Sequence, residues 1–327
     1  MYAQARDAGI NQFDAAHVYT DGAAETLLGE FATPDRDDLV VITKCGYPPG
    51  QSPAALEAEV MTSLKRLAMD HVDVLYLHRY PGDAHLDGAL ECMRDLHRAG
   101  AFALLGVSNF AAWQVMKAQA RAAALGAPPI SVLQPMYNLV KRQAEVELLP
   151  MALAEDLIVH SYSPLGGGLL TGKYATGGTG RLTDDSRYAA RYGATWRHET
   201  AHALATLAGA LGHAPETLAV AWAAAHPGIS APIISASAPD QMAPSLAAMS
   251  LEMTPDLYAQ LAALSPAPPP ATDRLEEAYG RRRIYDTAGS LSAQTGPYPA
   301  SKDGGGGLPG GRPESRHLPA LRRALGH

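Results

Sequence analysis

Cysteine is scarce in this chain: 327 residues carry only Cys45 and Cys92. Both stand in apolar surroundings, so they read as core thiols of a protein from a reducing compartment rather than as a disulfide framework. The expected localisation is therefore cytoplasmic. No apolar run reaches the length of a membrane span. The opening residues lack the charged, apolar and small-residue succession of a secretory signal. An excess of positive charge is also missing. The formal charge of −7 gives no electrostatic reason to expect DNA, RNA or an anionic membrane as partner. Neither His-Glu-x-x-His nor a paired Cys-x-x-Cys occurs, so no metal is expected.

Apolar residues are plentiful, at 47%, enough for a sizeable core. They fall into strand-like runs at residues 10–15, 39–44, 72–78, 102–108, 131–137, 157–163 and 232–235. Helix-like stretches alternate with them at 23–32, 53–69, 86–99, 111–126, 144–155 and 196–211, and two more follow at 240–249 and 255–264. Ser52 and Pro53 form a cap and first-turn pair at the start of one such helix. The strand runs are almost continuously apolar, as strands covered on both faces should be. Alternation on this scale predicts an α/β fold, a parallel sheet closing as a (β/α)8 TIM-type barrel. Seven strands are recognisable. Residues 2–9 read as the end of a helix, with no strand before it in this chain.

Beyond the last strand the composition shifts. We expect residues 1–265 to form the barrel. Residues 266–327, rich in Pro and Gly, are expected to be a largely disordered tail with possible short helices at 273–285 and 312–327. Residues 166–194, opening on three glycines, read as a long binding loop or lid.

Functional groups in a parallel barrel collect at the C-terminal ends of its strands. In order, those ends offer Asp14 and Tyr19, then Lys44, then His78. Each alone has an ordinary explanation: a helix cap, a snorkelling lysine, a core histidine. Together they suit proton transfer to an oxygen. A lysine ammonium near a phenol favours the phenolate and lowers its pKa from about 10. A carboxylate keeps that lysine charged and aimed, and a histidine orients a carbonyl oxygen or relays a proton. Proton delivery is half of carbonyl reduction; the hydride must come from a cofactor. Gly167, Gly172 and Lys173 nearly spell a phosphate-binding loop, but Tyr174 stands where a magnesium-binding hydroxyl is needed.

Further segments accompany these four residues: Gly106-Val107-Ser108-Asn109-Phe110, Leu133-Gln134-Pro135-Met136-Tyr137-Asn138, Tyr162-Ser163-Pro164-Leu165 and Gly168-Leu169-Leu170-Thr171-Gly172-Lys173-Tyr174. In residue type and order the set resembles the aldo-keto reductase family over roughly residues 1–265. The resemblance implies NADPH or NADH as cofactor and a small-molecule aldehyde or ketone as substrate. It makes Tyr19 the proton donor, Lys44 and its partner Asp14 the tuning pair, and His78 the holder of the carbonyl oxygen. It assigns Ser108, Asn109 and Gln134 to the nicotinamide carboxamide and Tyr162 to stacking on the ring. Ser163, Leu165, Gly168 and Lys173 would lie along the pyrophosphate, and Gln241 at the adenosine end.

This chain departs from the family pattern in two places. The N-terminal hairpin and first barrel strand are not recognisable, which predicts an N-terminally truncated barrel. Residues 235–241 lack the cation that meets the 2′-phosphate of NADPH, and Pro244 and Ser245 replace the usual Glu and Asn. That predicts a weakened preference for NADPH over NADH. His17, Val18, Tyr47, Tyr80 and Trp113 are possible pocket residues. Two other readings stay open: a nicotinamide-binding regulatory module, and an inactive truncated remnant of a reductase.

Overall fold

The computed structural model describes residues 1–272. The helices expected at 273–285 and 312–327, and the disorder expected in the rest of that tail, lie outside the described residues. Met1–Pro268 form one compact unit.

Helix α1 (Tyr2–Asp7) leads into β1 (Gln12–Asp14). Five strand–helix units follow: α2 (Ala23–Ala32) with β2 (Val40–Cys45), α3 (Pro53–Leu67) with β3 (Val72–Leu77), α4 (Leu86–Arg98) with β4 (Phe102–Ser108), α5 (Ala112–Leu125) with β5 (Ile130–Gln134), and α6 (Leu148–Ala154) with β6 (Ile158–Ser161). Helices α7 (Arg181–Asp184), α8 (Ser186–Tyr192), α9 (Thr195–Leu211) and α10 (Pro215–Ala224) precede β7 (Ala231–Pro232), and α11 (Pro239–Leu246) and α12 (Pro255–Ala262) follow it. All seven strands are parallel and pair in chain order. They curl into an incomplete TIM barrel, with β1 and β7 as its edges among the described residues.

Local chemistry explains the elements. Ser52 Oγ accepts the Ala55 amide at 3.3 Å and Pro53 opens α3. Thr254 Oγ1 accepts from Leu257 at 3.2 Å, with Pro255 opening α12. Every residue of β2 and of β3 is buried, as two-sided cover demands. Inside the barrel Tyr76 pairs in register with Gly106 and leans its ring on it. A Cβ at Gly106 would lie 2.5 Å from that ring, so only glycine fits.

Three details differ from the sequence expectation. Residues 215–224, which show no helical period in sequence, form helix α10. Seven of its ten residues, Thr217–Ala223, are buried, so it has no polar face to show a period. The long loop at 166–194 contains α7 and α8, too short to give a periodic signal. The last strand is the two residues Ala231–Pro232, not 232–235.

Candidate active site

Strand pairing continues past β1: Ala15 donates to the Ile42 carbonyl at 2.9 Å and His17 to that of Lys44 at 3.0 Å. This carries the chain to Tyr19 at the strand ends. Thr20 and Asp21 then adopt left-handed backbone, φ 49° and 52°, a conformation non-glycine residues rarely hold without support. Arg66 of α3 supplies it. Its Nη1 donates to the His17 carbonyl at 2.9 Å and to Glu25 Oε2 at 3.1 Å. Glu25 is fully buried and also accepts from Thr43 Oγ1 at 2.5 Å.

Lys44 is fully buried at the end of β2. Its ammonium is bonded to Asp14 Oδ1 and donates to the Ala15 carbonyl at 2.8 Å. It also faces the Tyr19 ring, 4.9 Å from the centroid. Burial pulls the lysine pKa down and Asp14 pushes it back up. Sequence reasoning expects Lys44 to lower the Tyr19 pKa. Here burial, then the Asp14 charge, holds that phenol above its ordinary range. The hydrogen bonds of Lys44 go to Asp14 and Ala15, and its charge meets the face of the ring. Although Tyr19 is 38% exposed at its edge, its surroundings desolvate it.

His78 meets Tyr19 edge to face, ring centroids 5.7 Å apart at 82°. Its Nδ1 is buried with no hydrogen-bond partner. Burial, then the Lys44 charge, lowers its pKa to about 4, so the ring is neutral near pH 7. A neutral imidazole beside the phenol can still give or take a hydrogen bond.

Residues expected at the nicotinamide meet one another at the neighbouring strand ends. Ser108 Oγ donates to the Gln134 carbonyl at 2.9 Å. Asn109, in left-handed backbone at φ 60°, donates from Nδ2 to the His78 carbonyl and to Ser108 Oγ, both at 3.0 Å. Tyr162 donates its hydroxyl to Asn109 Oδ1 at 2.7 Å. Gln134 instead turns inward, its Nε2 donating to Asp14 Oδ2 at 2.8 Å. Ser163, at φ 59°, is held by Asn138 Nδ2, which donates to its carbonyl at 2.8 Å.

Leu165 begins the turn Gly166–Thr171, in which Gly166, Gly167 and Gly168 all have positive φ. A Cβ on Gly168 would come 3.4 Å from Lys173 Cε, so the lysine stem lies along bare backbone. Gln241 Oε1 accepts from the Ser237 amide at 3.3 Å. A groove of about 570 Å³, lined by His213, Thr217, Asp240, Ala243 and Pro244 among others, contains none of the Asp14, Tyr19, Lys44 and His78 group.

Of the expected pocket residues, Tyr47 faces His78 at 5.5 Å between ring centroids. Tyr80 packs edge-on against Phe110 and Trp113. His17 instead turns to α3, its Nδ1 3.3 Å from Ser63 Oγ. Sequence reasoning passed over Glu25 and Arg66, which hold the Tyr19 loop. It also passed over Tyr76 and His160, whose hydroxyl and Nδ1 lie 3.0 Å apart in the barrel interior. Nothing in a single sequence links positions 76 and 160.

A parallel incomplete barrel with Asp, Tyr, Lys and His gathered at consecutive strand ends defines a class of oxidoreductase-like α/β proteins. Comparison with known proteins makes this specific. The model of the Aldo/keto reductase family matches residues 1–266, and the chain belongs to that family. It is 33% identical over 289 residues to "Probable voltage-gated potassium channel subunit beta" of Oryza sativa subsp. japonica, covering 82% of this chain and 87% of the relative. It is 39% identical over 171 residues to "Aflatoxin B1 aldehyde reductase member 2" of Rattus norvegicus, covering 51% of this chain and 47% of the relative. A human protein of that name gives 38% over 171 residues, covering 51% of this chain and 48% of the relative. The chain thus spans about half the length of these reductases. Among the described residues no helix is long and apolar enough to cross a membrane, and no group of three His, Cys, Asp or Glu is placed to hold a metal ion.

Proposed function

We propose that this protein reduces a small aldehyde or ketone to its alcohol, with NADPH or NADH as cofactor and Tyr19 as proton donor. The observation that carries the reading is the meeting of Tyr19, Lys44, Asp14 and His78 from three strand ends. The nicotinamide, when bound, supplies the hydride to the carbonyl carbon. Ser108, Asn109 and Tyr162 are its expected holders. The bare backbone at Gly166, Gly167 and Gly168, with Lys173 alongside, fits a pyrophosphate. Gln134 would have to share its amide between Asp14 and the cofactor. No cation stands in residues 235–241, so discrimination for a 2′-phosphate should be weak.

His78, neutral, orients the carbonyl oxygen. Tyr19 keeps its proton at working pH because its pKa is raised. The alkoxide that forms is a far stronger base than a phenolate, so the proton moves from the Tyr19 hydroxyl to that oxygen. Lys44 then faces the phenolate left behind and Asp14 keeps Lys44 charged.

The deciding experiment is Tyr19→Phe, assayed by loss of NADPH and NADH absorbance with a panel of aldehydes and ketones. Turnover should fall by about 10²–10⁴, with cofactor binding retained in a fluorescence titration. Unchanged turnover would remove Tyr19 as donor. A second reading, a nicotinamide-binding module with little turnover, is favoured by the longer match to a protein named as a channel subunit. It predicts cofactor binding by wild type without reduction of any carbonyl in the panel.

A further inference from the structure

The loop that follows β2 is clamped at both ends. Glu59 of α3 holds them: its Oε2 accepts the Gly46 amide and its Oε1 accepts from Gln51 Nε2, each at 2.7 Å. Among the described residues Glu59 has no cation partner, so its carboxylate serves this loop alone. Tyr47 stands within the clamp, half-buried, and its ring faces the His78 ring at 5.5 Å. His78 in turn meets the Tyr19 ring at 5.7 Å. The His78 amide donates to the Cys45 carbonyl at 2.7 Å, which ties the loop after β3 to the loop after β2. Arg79 follows His78 and holds its guanidinium over the Tyr47 ring, 5.0 Å from the centroid.

Arg79 is exposed, and among the described residues it forms no ion pair and donates no hydrogen bond. Arg36, Arg66 and Arg142, by contrast, each meet a carboxylate and a backbone carbonyl, as arginines that brace a fold do. A ring contact leaves the N–H donors of a guanidinium for an anion, and the planar fork matches a carboxylate with two parallel hydrogen bonds. The Arg79 charge also bears on the site. Burial first, and then the charges of Lys44 and Arg79, lower the His78 pKa. Burial raises the Tyr162 pKa, against which the charges of Arg191 and Arg79 act. Lys44 has its carboxylate in Asp14, whereas Arg79 has none among the described residues. We infer that Arg79, seated on Tyr47, binds a carboxylate of the substrate, so that the carbonyl compounds this protein takes are oxo acids and formyl acids. The carbonyl lies at Tyr19 and His78, and the carboxylate reaches Arg79 past the Tyr47 ring.

The inference deepens the reductase reading and rests on it for the kinetic arm of the test alone. The first measurement is calorimetric binding to the whole protein. It compares para-(hydroxymethyl)benzoate, the alcohol product of a formyl acid, with para-(hydroxymethyl)benzamide, which has nearly the same shape and no charge. Wild type should bind the acid about tenfold more tightly, the size of one charge-assisted contact partly open to water. Arg79→Met should bring the two affinities together. Arg79→Lys, which keeps the charge and loses the planar fork, should restore part of the preference. In turnover, the acid-to-amide ratio of kcat/KM for the corresponding aldehydes should follow the same order, through KM. Equal affinity of wild type for acid and amide, or a preference that survives in Arg79→Met, would overturn the inference. A loss of NADPH affinity in Arg79→Met with the acid preference intact would overturn it too, and would assign the cation to the phosphates of the cofactor. Arg79 is exposed, so its variants should melt at the wild-type temperature, and that measurement accompanies each titration. Should wild type reduce no carbonyl, the reductase reading fails while the binding comparison still decides this one.

Discussion

The Lys44 ammonium stands 4.9 Å from the centre of the Tyr19 ring while its hydrogen bonds go to Asp14 and the Ala15 carbonyl. The cation therefore meets the phenol through its face and remains anchored whatever the phenol does. Removing it leaves a carboxylate, 12% exposed, with only Gln134 in place of its charge partner. Lys44→Met should cost roughly 3–5 kcal/mol of stability in urea unfolding, the usual penalty for breaking a buried pair from one side. Asp14→Asn combined with Lys44→Met should recover part of that loss without restoring turnover. Equal stability of Lys44→Met and wild type would mean that Asp14 is better solvated than its position indicates.

Gly106 tests the packing that holds Tyr76. Gly106→Ala places a methyl 2.5 Å from the Tyr76 ring carbons Cδ1 and Cε1, closer than carbon atoms tolerate. The ring is fully buried and cannot swing out. Overpacking of this kind should cost about 1–3 kcal/mol. Adding Tyr76→Leu should relieve the clash and return a good part of the stability. A Gly106→Ala protein with wild-type stability would show that the barrel wall shifts more readily than its packing implies.

Most of this architecture is legible in the sequence because its physics is one-dimensional. The runs at 39–44, 72–78 and 102–108 are mostly apolar with no alternation, as strands covered on both faces should be. Ser52–Pro53 and Thr254–Pro255 announce their helices through capping chemistry. Helix α10 gives no periodic signal because seven of its ten residues are buried and it has no polar face to contrast with an apolar one. The four residues Asp14, Tyr19, Lys44 and His78 were legible as strand ends. Their mutual electrostatics were not. Whether a lysine meets a phenol at its oxygen or at its ring depends on side-chain geometry alone, as does the turn of Gln134 toward Asp14.

The Tyr19 loop rests on Arg66. That side chain is 27% exposed and is the charge partner of a fully buried Glu25. Arg66→Met strands that carboxylate and frees the His17 carbonyl. The loss should lie below the roughly 3–5 kcal/mol of a fully buried pair, because water reaches the arginine. It should also release the left-handed backbone at Thr20 and Asp21. Faster amide hydrogen exchange at residues 18–22, with the rest of the barrel unchanged, is the expected signature. Exchange that rises evenly across the protein would make Arg66 a general stabiliser with no special hold on Tyr19.

Stability should fall in mild acid through two histidines. Burial lowers the pKa of His78 and of His226 to about 4, against roughly 6.5 in an unfolded chain. Above that higher value both states hold a neutral ring and nothing changes. Between pH 6.5 and about 4 the unfolded chain takes up a proton that the folded chain refuses, so stability drops as pH falls, and the loss is complete below the folded value. His226 makes the cause visible. It is 2% exposed and its Nδ1 accepts the Gly228 amide at 3.0 Å, a bond that protonation of that nitrogen abolishes. Each histidine should contribute up to about 3 kcal/mol to the slope. His226→Asn, which keeps an acceptor for Gly228 and cannot titrate, should flatten the pH dependence of the urea midpoint between pH 7 and 4.5 by about half of the histidine share. An unchanged slope in His226→Asn would show that His226 is not a source of the acid sensitivity.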